Sequence, residues 1–380
     1  MLSEKESLIL LLNYLFFDSP RQITYLASVF SSIEDFKANF QNFFKENSKR
    51  QNNLEFYLSR LNEFDLKNYR TELEKQKIKF IFFTNTNYPN ALKELPDAPQ
   101  ILYYQGNINL LNTKTIGIVG SRNCSDYGEK VTRFFAQNLS PYFTICSGLA
   151  RGLDAIAHNA VLEKSGSTIG VIASSLENIS PKSNNTLFEK MRTQGLIISE
   201  YPLGIIAEGF RFHQRNRLIA ALSLGVLVTE ANEKSGTLIT ARYALEYGRD
   251  VFIVPSSIFN TENFGGLKLV QVGGGKIVFC INDILDEYDL KTDNTQTASE
   301  STPKKNLNQA EQLNLFLTSN SFSENAEKVL KLLNAEGPLN IDQLAIKTSE
   351  PLTKLLNSIT ELEMLDAIKI LPGNKYQITV

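Results

Sequence analysis

Two short stretches of the chain set cations beside groups suited to a phosphate. Residues 209–223, GFRFHQRNRLIAALS, place Arg211, His213, Arg215 and Arg217 among Phe210 and Phe212. Guanidinium groups meet phosphate oxygens and ring faces meet unpaired bases, so this alternation suits a groove for single-stranded nucleic acid. Asn216 lies between two of the arginines; Arg215 or Arg217 would serve equally in a buried salt bridge or in holding Asn216. Further on, Lys234-Ser235-Gly236-Thr237 opens an amphipathic segment. Amide donors at a helix start, a lysine beside them and a hydroxyl from Ser235 or Thr237 make an anion site, and a plain helix cap uses the same residues.

A third candidate is TIGIVGSRNCSDYG, residues 115–128, which reads as strand, glycine turn and helix. A dinucleotide site needs GxGxxG and an acidic residue closing the next strand. Neither occurs, since the turn reads Gly117-Ile118-Val119-Gly120-Ser121-Arg122 and the next strand, FTICSG, closes on Ser147 and Gly148. What remains is Gly120 for close backbone approach, Ser121 as a hydroxyl donor and Arg122 outside the strand's carboxyl end. Those parts suit a phosphate with no nicotinamide behind it.

Catalytic chemistry finds little material. In SGLARGLDAIAHNAVL, residues 147–162, Arg151 stands at the same sheet edge, Asp154 caps or steadies the next helix, and His158 reads as a packed helix histidine. The chain has 2 histidines, too few to build Ser/His/Asp catalysis with any freedom. Glu230 closes a strand, but no second positioned group accompanies it. Cys124, Cys146 and Cys280 are odd in number and widely spaced without CxxC, so neither a disulfide framework nor zinc is expected. No catalytic residue, metal or cofactor is assigned.

The elements that must position these residues follow from periodicity. Residues 1–78 carry helical spacing in ESLILLLNYLFF and SIEDFKANFQNFF with a break at Ser19-Pro20, which predicts a small helical domain. From residue 79 to 290 nine short apolar runs alternate with turns and helix-length segments: KFIFF, QILYYQG, TIGIVG, FTICSG, STIGVIA, GLIISEY, GVLVTEA, DVFIVP and KIVFC. That alternation predicts an α/β domain, a Rossmann-like parallel sheet buried on both faces. Residues 291–322 are mostly Thr, Asn, Gln, Ser and Lys and read as a flexible linker, with a short helical turn at AEQLNLFL. Residues 323–380 read as three helices and a hairpin, the order of a winged helix.

Composition bounds the partners. With 380 residues, 42% hydrophobic and 21% charged, the chain is an ordinary globular one of several domains. No apolar run is long enough for a membrane helix, and MLSEKESLILLLNYLFF lacks the features of an export signal, so a cytoplasmic protein without a membrane partner is expected. A net charge of -2 does not announce a nucleic-acid binder; a local patch must supply it. Residues 116–280 hold 16 basic and 13 acidic side chains, a surplus of 3 positive charges, whereas residues 323–380 hold 6 and 8, a deficit of 2. Nucleic acid is therefore expected on the central domain, and the winged helix is expected to bind a partner or pack.

Together GIVGSRNCSDYG, SGLARGLDAIAH, SEYPLG, FHQRNRLIAALS, EANEKSGTLITARYALEYGRDVF and GGLKLVQVGG resemble the DNA-processing protein A (DprA/Smf) family, nearly continuously over residues 100–280. The resemblance implies a sterile-alpha-motif-like first domain and a final winged helix. It further implies a non-enzymatic, homodimeric binder of single-stranded DNA that protects incoming DNA and loads the RecA recombinase during natural transformation. Carried over by position, Arg122 matches a principal DNA contact, Lys182 a lysine assigned to DNA, and Phe212 an aromatic near the bases. The chain departs from the family pattern at Ser180, where a Tyr is usual, in ASSLENIS, which lacks a glycine, at Glu208 and Gly209, where a basic residue a few positions ahead of Phe212 is frequent, and at Ser256, where a Gly is usual. A rival class is a nucleotide phosphoribohydrolase-like enzyme, because Glu230 beside SGT resembles that group's site, although its Pro-Gly-Gly-x-Gly-Thr run is absent.

Overall fold

The computed structural model describes residues 2–47, 54–257, 260, 263–290, 323–348, 350–364, 367–371 and 375–378. It forms two compact units, Met1–Thr292 and Asp293–Val380. The segment read as a linker, 291–322, lies outside the described residues, as does its short helical turn.

The first unit begins with helices α1 (Glu4–Phe16), α2 (Pro20–Val29), α3 (Ile33–Asn47), α4 (Leu54–Glu63) and α5 (Leu66–Lys75). Ser3 starts α1 through a capping box with Glu6, and Pro20 opens α2, where its missing amide proton costs nothing. Apolar residues ring α1 on nearly every side: Leu8, Leu10, Leu11 and Leu12 are fully buried. A helix of that kind needs cover all round. Part of the cover comes from the sheet, because one core runs from these leucines through Phe36 and Phe40 to Phe82, Tyr103 and Ile197. A buried polar chain pins the contact: Tyr103 Oη donates to Asn13 Oδ1 at 3.0 Å, the Tyr69 and Tyr103 hydroxyls lie 3.1 Å apart, and Asn13 Nδ2 donates to the Glu200 carbonyl at 3.3 Å.

The nine apolar runs form one sheet: β1 (Lys79–Phe82), β2 (Ile101–Gly106), β3 (Thr115–Gly120), β4 (Thr144–Ser147), β5 (Thr168–Val171), β6 (Leu196–Ser199), β7 (Gly225–Glu230), β8 (Asp250–Ile253) and β9 (Lys276–Ile277), in the order β1-β2-β6-β5-β4-β3-β7-β8-β9. From β6 to β9 all pairs are parallel; β1 and β2 join antiparallel. The reason is the connection, since only the four-residue helix α6 (Asn90–Lys93) lies between β1 and β2, too little for a helical crossover. Helical crossovers follow each strand from β3 to β8: α7 (Asp126–Leu139), α8 (Leu153–Glu163), α9 (Asn185–Gln194), α10 (Gly209–Leu222), α11 (Thr237–Glu246) and α12 (Phe264–Gln271), before the four-residue α13 (Asn282–Leu285). From β3 the chain winds outward through β4, β5 and β6; it then returns to β7 on the other side of β3. Between β3 and β7 the winding reverses, and at such a switch point the loops beyond the strand ends part to leave a crevice.

The second unit holds α14 (Glu324–Glu336), β10 (Leu339–Asn340), α15 (Ile341–Thr348), α16 (Leu352–Met364), β11 (Ile368–Leu371) and β12 (Lys375–Ile378). Its sheet has the order β10-β12-β11, antiparallel throughout, over a core of Val329, Leu330, Leu344, Leu355 and Leu362. This is the expected helix, helix, helix, hairpin, with one short strand added before α15.

Candidate nucleic-acid interface

The crevice at the switch point is a cavity of about 890 Å³. Its walls are the turn after β3, the first half of α10 and the loop that opens α11, and they include Gly120, Ser121, Arg122, Phe212, His213, Arg215, Asn216, Lys234, Ser235, Gly236 and Thr237. Three cationic side chains, Arg122, Arg215 and Lys234, face one carboxylate, Asp154. The surplus is positive, and Gly209 at the start of α10 completes that wall.

The β3 turn is tied down by backbone and buried acid. Ser121 N donates to the Glu230 carbonyl at 2.9 Å and Leu153 N to the Ser121 carbonyl at 3.1 Å. Gly152, at φ +84°, makes the second contact possible, because a Cβ there would stand 2.4 Å from the Ser121 carbonyl oxygen. The Ser121 hydroxyl donates to the Asn123 carbonyl at 2.7 Å, so its proton closes the turn and is not offered to a ligand, contrary to the role expected of it. Arg122 is left exposed on the turn, with its guanidinium carbon 4.7 Å from the centre of the half-buried Phe212 ring. A cation lying on an aromatic face beside a cavity offers both charge and a stacking platform.

The three arginines and the histidine of α10 separate in the fold. Arg215 is 3% exposed and crosses to the carboxyl ends of β4 and β5, where it donates to the carbonyls of Gly148 and Val171; its Nε donates to Asn216 Oδ1 at 3.1 Å. Gly148 leaves the path open, since a Cβ would lie 2.2 Å from the Arg215 guanidinium. Arg211 and Arg217, both expected at the DNA surface, do not line the cavity. Arg217 sits between Glu200 at 2.5 Å and Asp97 at 3.2 Å. At about 100° per residue, position 217 points roughly opposite to position 215, away from the crevice. Arg211 takes Asp18 on Nε and Nη2, both at 3.1 Å, in the turn between α1 and α2. His213 is exposed at the cavity wall.

Asn216 ties the two sides together, donating through Nδ2 to the Gly236 carbonyl at 3.3 Å. Ser235 Oγ accepts from Thr237 N at 3.2 Å just before α11, whose cap position is Gly236, while Lys234 is exposed. Lys182 is exposed in a 3-10 turn, Lys182–Asn184, and does not line the cavity. Its turn is held to the cavity wall by Asn184, which donates to the carbonyls of Leu149 and Ala150 at 3.1 and 3.2 Å.

Asn123, Cys124, Ser125, Asn232 and Thr240 also line the cavity and were not singled out in the sequence as binding residues. Small polar residues in loops carry no periodic signal, so only their neighbourhood with Arg122 and Lys234 would have marked them. Asp154 is buried in the first turn of α8 and accepts from Gly148 N at 3.1 Å. Burial pushes its carboxyl above the usual carboxylate range, with Arg215 pulling the other way, and burial lowers the Arg215 guanidinium in turn. Glu230 is fully buried; its oxygens are taken by the amide of Ser125 at 3.0 Å and by the Ser125 hydroxyl. It braces the start of α7 and does not line the cavity.

Residues 79–289 match the family model for DNA recombination-mediator protein A, and residues 318–374 match that for the DprA winged helix domain. The chain belongs to the DprA/Smf family. It is 35% identical over 325 residues to Protein Smf of Synechocystis sp., covering 80% of this chain and 81% of that one. The crystal structure of DNA processing protein A from Streptococcus pneumoniae superposes with a TM-score of 0.63 at 34% identity, over 75% of this chain and 98% of the other. DNA processing protein A from Helicobacter pylori, whose structure concerns its single-stranded DNA binding mode, matches with a TM-score of 0.51 at 32% identity, over 55% and 95% of the two chains. The DprA/Smf relationship carries a role in DNA processing as a recombination mediator. No helix among the described residues is long and apolar enough to cross a membrane.

Proposed function

We propose that this chain binds single-stranded DNA in the switch-point cavity, shields it as it enters the cytoplasm and loads the RecA recombinase on it during natural transformation, acting as a homodimer without catalysing a reaction. The observation that carries the binding step is the pair Arg122 and Phe212, a guanidinium on a ring face at the wall of a cavity with a cationic surplus. A phosphate on Arg122 with a base against Phe212 is the arrangement such a pair accommodates, and Lys234 with the α11 start takes the next phosphate. Lys182, outside the cavity but tethered to its wall, extends the positive track. The single-strand binding of the Helicobacter pylori relative supports the same reading. The RecA and dimer roles rest on the family relationship, and the domain division 1–78, 79–290, 291–322 and 323–380 assigns DNA to the second segment.

The phosphoribohydrolase-like alternative needs a free acid beside the α11 start. Glu230 is buried beneath the α7 start with both oxygens engaged, which disfavours it. The test is a titration of labelled oligo-dT at two salt concentrations with the wild type and Arg122→Ala. Weaker binding and a shallower salt dependence for the variant are expected; equal affinities would remove the reading.

A further inference from the structure

The first turn of α10 is held only in part by its own bonds: the Glu208 carbonyl accepts from Arg211 N at 3.0 Å, and the exposed Glu208 carboxylate pairs with Arg211 Nη1 at 3.3 Å. Glu208 makes no side-chain cap, and Gly209, Phe210 and Phe212, which open the helix, are weak helix formers. The buried support comes from elsewhere in the chain. Arg211, 7% exposed, fills its planar fork: Nε and Nη2 on the two oxygens of Asp18, both at 3.1 Å, and Nη1 on the Ile206 carbonyl at 2.9 Å. The rings of Phe17, Tyr201 and Phe210 surround the guanidinium at 5.4, 5.8 and 4.8 Å. Asp18 is itself well anchored, because it follows α1, and α1 is pinned to the sheet through Asn13, Tyr103 and Glu200. The residue after Arg211 is Phe212, the ring on which Arg122 lies.

We infer that Asp18 is a positioning residue for the DNA cavity: through its two-point hold on Arg211 it fixes the first turn of α10, and so keeps Phe212 in register with Arg122. The N-terminal helices thus tune single-strand affinity without contributing a residue to the cavity wall. This rests on the reading of the cavity as the single-strand site. A two-point guanidinium–carboxylate pair fixes angle as well as distance, which a single contact does not. A ring displaced from the base it should stack on forfeits most of its contribution.

The sign of the effect separates this role from simple electrostatics. Removing a negative charge from a protein that binds a polyanion should tighten binding. Loss of positioning should weaken it. In the full chain, Asp18→Ala is expected to bind labelled oligo-dT about three- to tenfold more weakly than the wild type, a part of one base–ring stack, with the salt slope unchanged because no phosphate contact is lost. In a Phe212→Ala background the same substitution should change affinity by less than about 1.5-fold, since the ring it positions is gone. Arg122→Ala, run alongside, reports on the cavity itself. If Arg122→Ala weakens binding while Asp18→Ala leaves it equal or tighter, the positioning role is overturned and the cavity reading stands. If Asp18→Ala costs as much with Phe212→Ala as without, the loss is general destabilisation and the role is again overturned. If Arg122→Ala has no effect, the cavity reading falls and the positioning role with it.

Discussion

Replacing Arg122 with alanine removes a guanidinium that is exposed on the β3 turn and lies 4.7 Å from the Phe212 ring centre. A charge-assisted hydrogen bond contributes about 1.5–3 kcal/mol when desolvated, and a solvent-facing donor delivers less, about 1–2 kcal/mol. The cation on the ring adds about 0.5–1 kcal/mol by holding Phe212 flat for a base. The sum, about 1.5–3 kcal/mol, is a roughly tenfold to 150-fold rise in Kd for oligo-dT. One lost phosphate contact also makes the slope of log K against log salt shallower by about 0.7. Arg122→Lys separates the two parts, since the ammonium keeps the charge and the slope but gives up the planar stack, a loss of about two- to fivefold. Fluorescence anisotropy at two salt concentrations measures both quantities. Unchanged affinity and slope in the alanine variant would refute the placement of a phosphate on Arg122.

Three further expectations concern the frame around the cavity. His158 is fully buried, and Thr168 Oγ1, whose own proton goes to the Ile145 carbonyl, accepts from its Nδ1 at 2.7 Å. Burial, with Arg215 nearby, lowers its pKa from 6.5 to about 3. Its folded-state pKa is therefore depressed, so the stability it confers is present above pH 6.5 and is lost as pH falls toward 3. Urea unfolding at pH 7 and pH 5 should show the wild type losing about 2 kcal/mol more than His158→Asn. Glu200→Gln takes one of the two carboxylates from buried Arg217, and should cost about 2–3 kcal/mol in urea unfolding while oligo-dT affinity stays within about twofold; weakened binding with full stability would return Arg217 to the binding surface. Gly152→Ala forces a Cβ to 2.4 Å from the Ser121 carbonyl oxygen at φ +84°, and should lower stability by at least about 2 kcal/mol, read as a drop in Tm, and weaken DNA binding through the displaced Arg122 turn.

The sheet was legible because its strands are buried on both faces, and a strand covered on both sides must be apolar at successive positions. All nine runs became strands, and the caps at Ser3, Ser125 and Ser323 lie where a serine precedes a helical period. The antiparallel edge was less legible. Whether β2 runs with or against β6 depends on how the connection crosses the sheet, and apolar runs read the same in both directions.

For the binding surface, the sequence alone determined which residue types were available: a glycine turn carrying Arg122, an aromatic beside a cluster of arginines, and a lysine at a helix start. Those are local properties, and the three meet at one cavity. Only the tertiary structure decided which cations remain for a ligand. Arg211 is claimed by Asp18 from 193 positions away, Arg217 by Glu200 and Asp97, and Arg215 by two strand-end carbonyls. The physical reason is desolvation: a charge that folding takes out of water must be paired there, and the partner that satisfies it is set by which elements pack together, not by its neighbours along the chain.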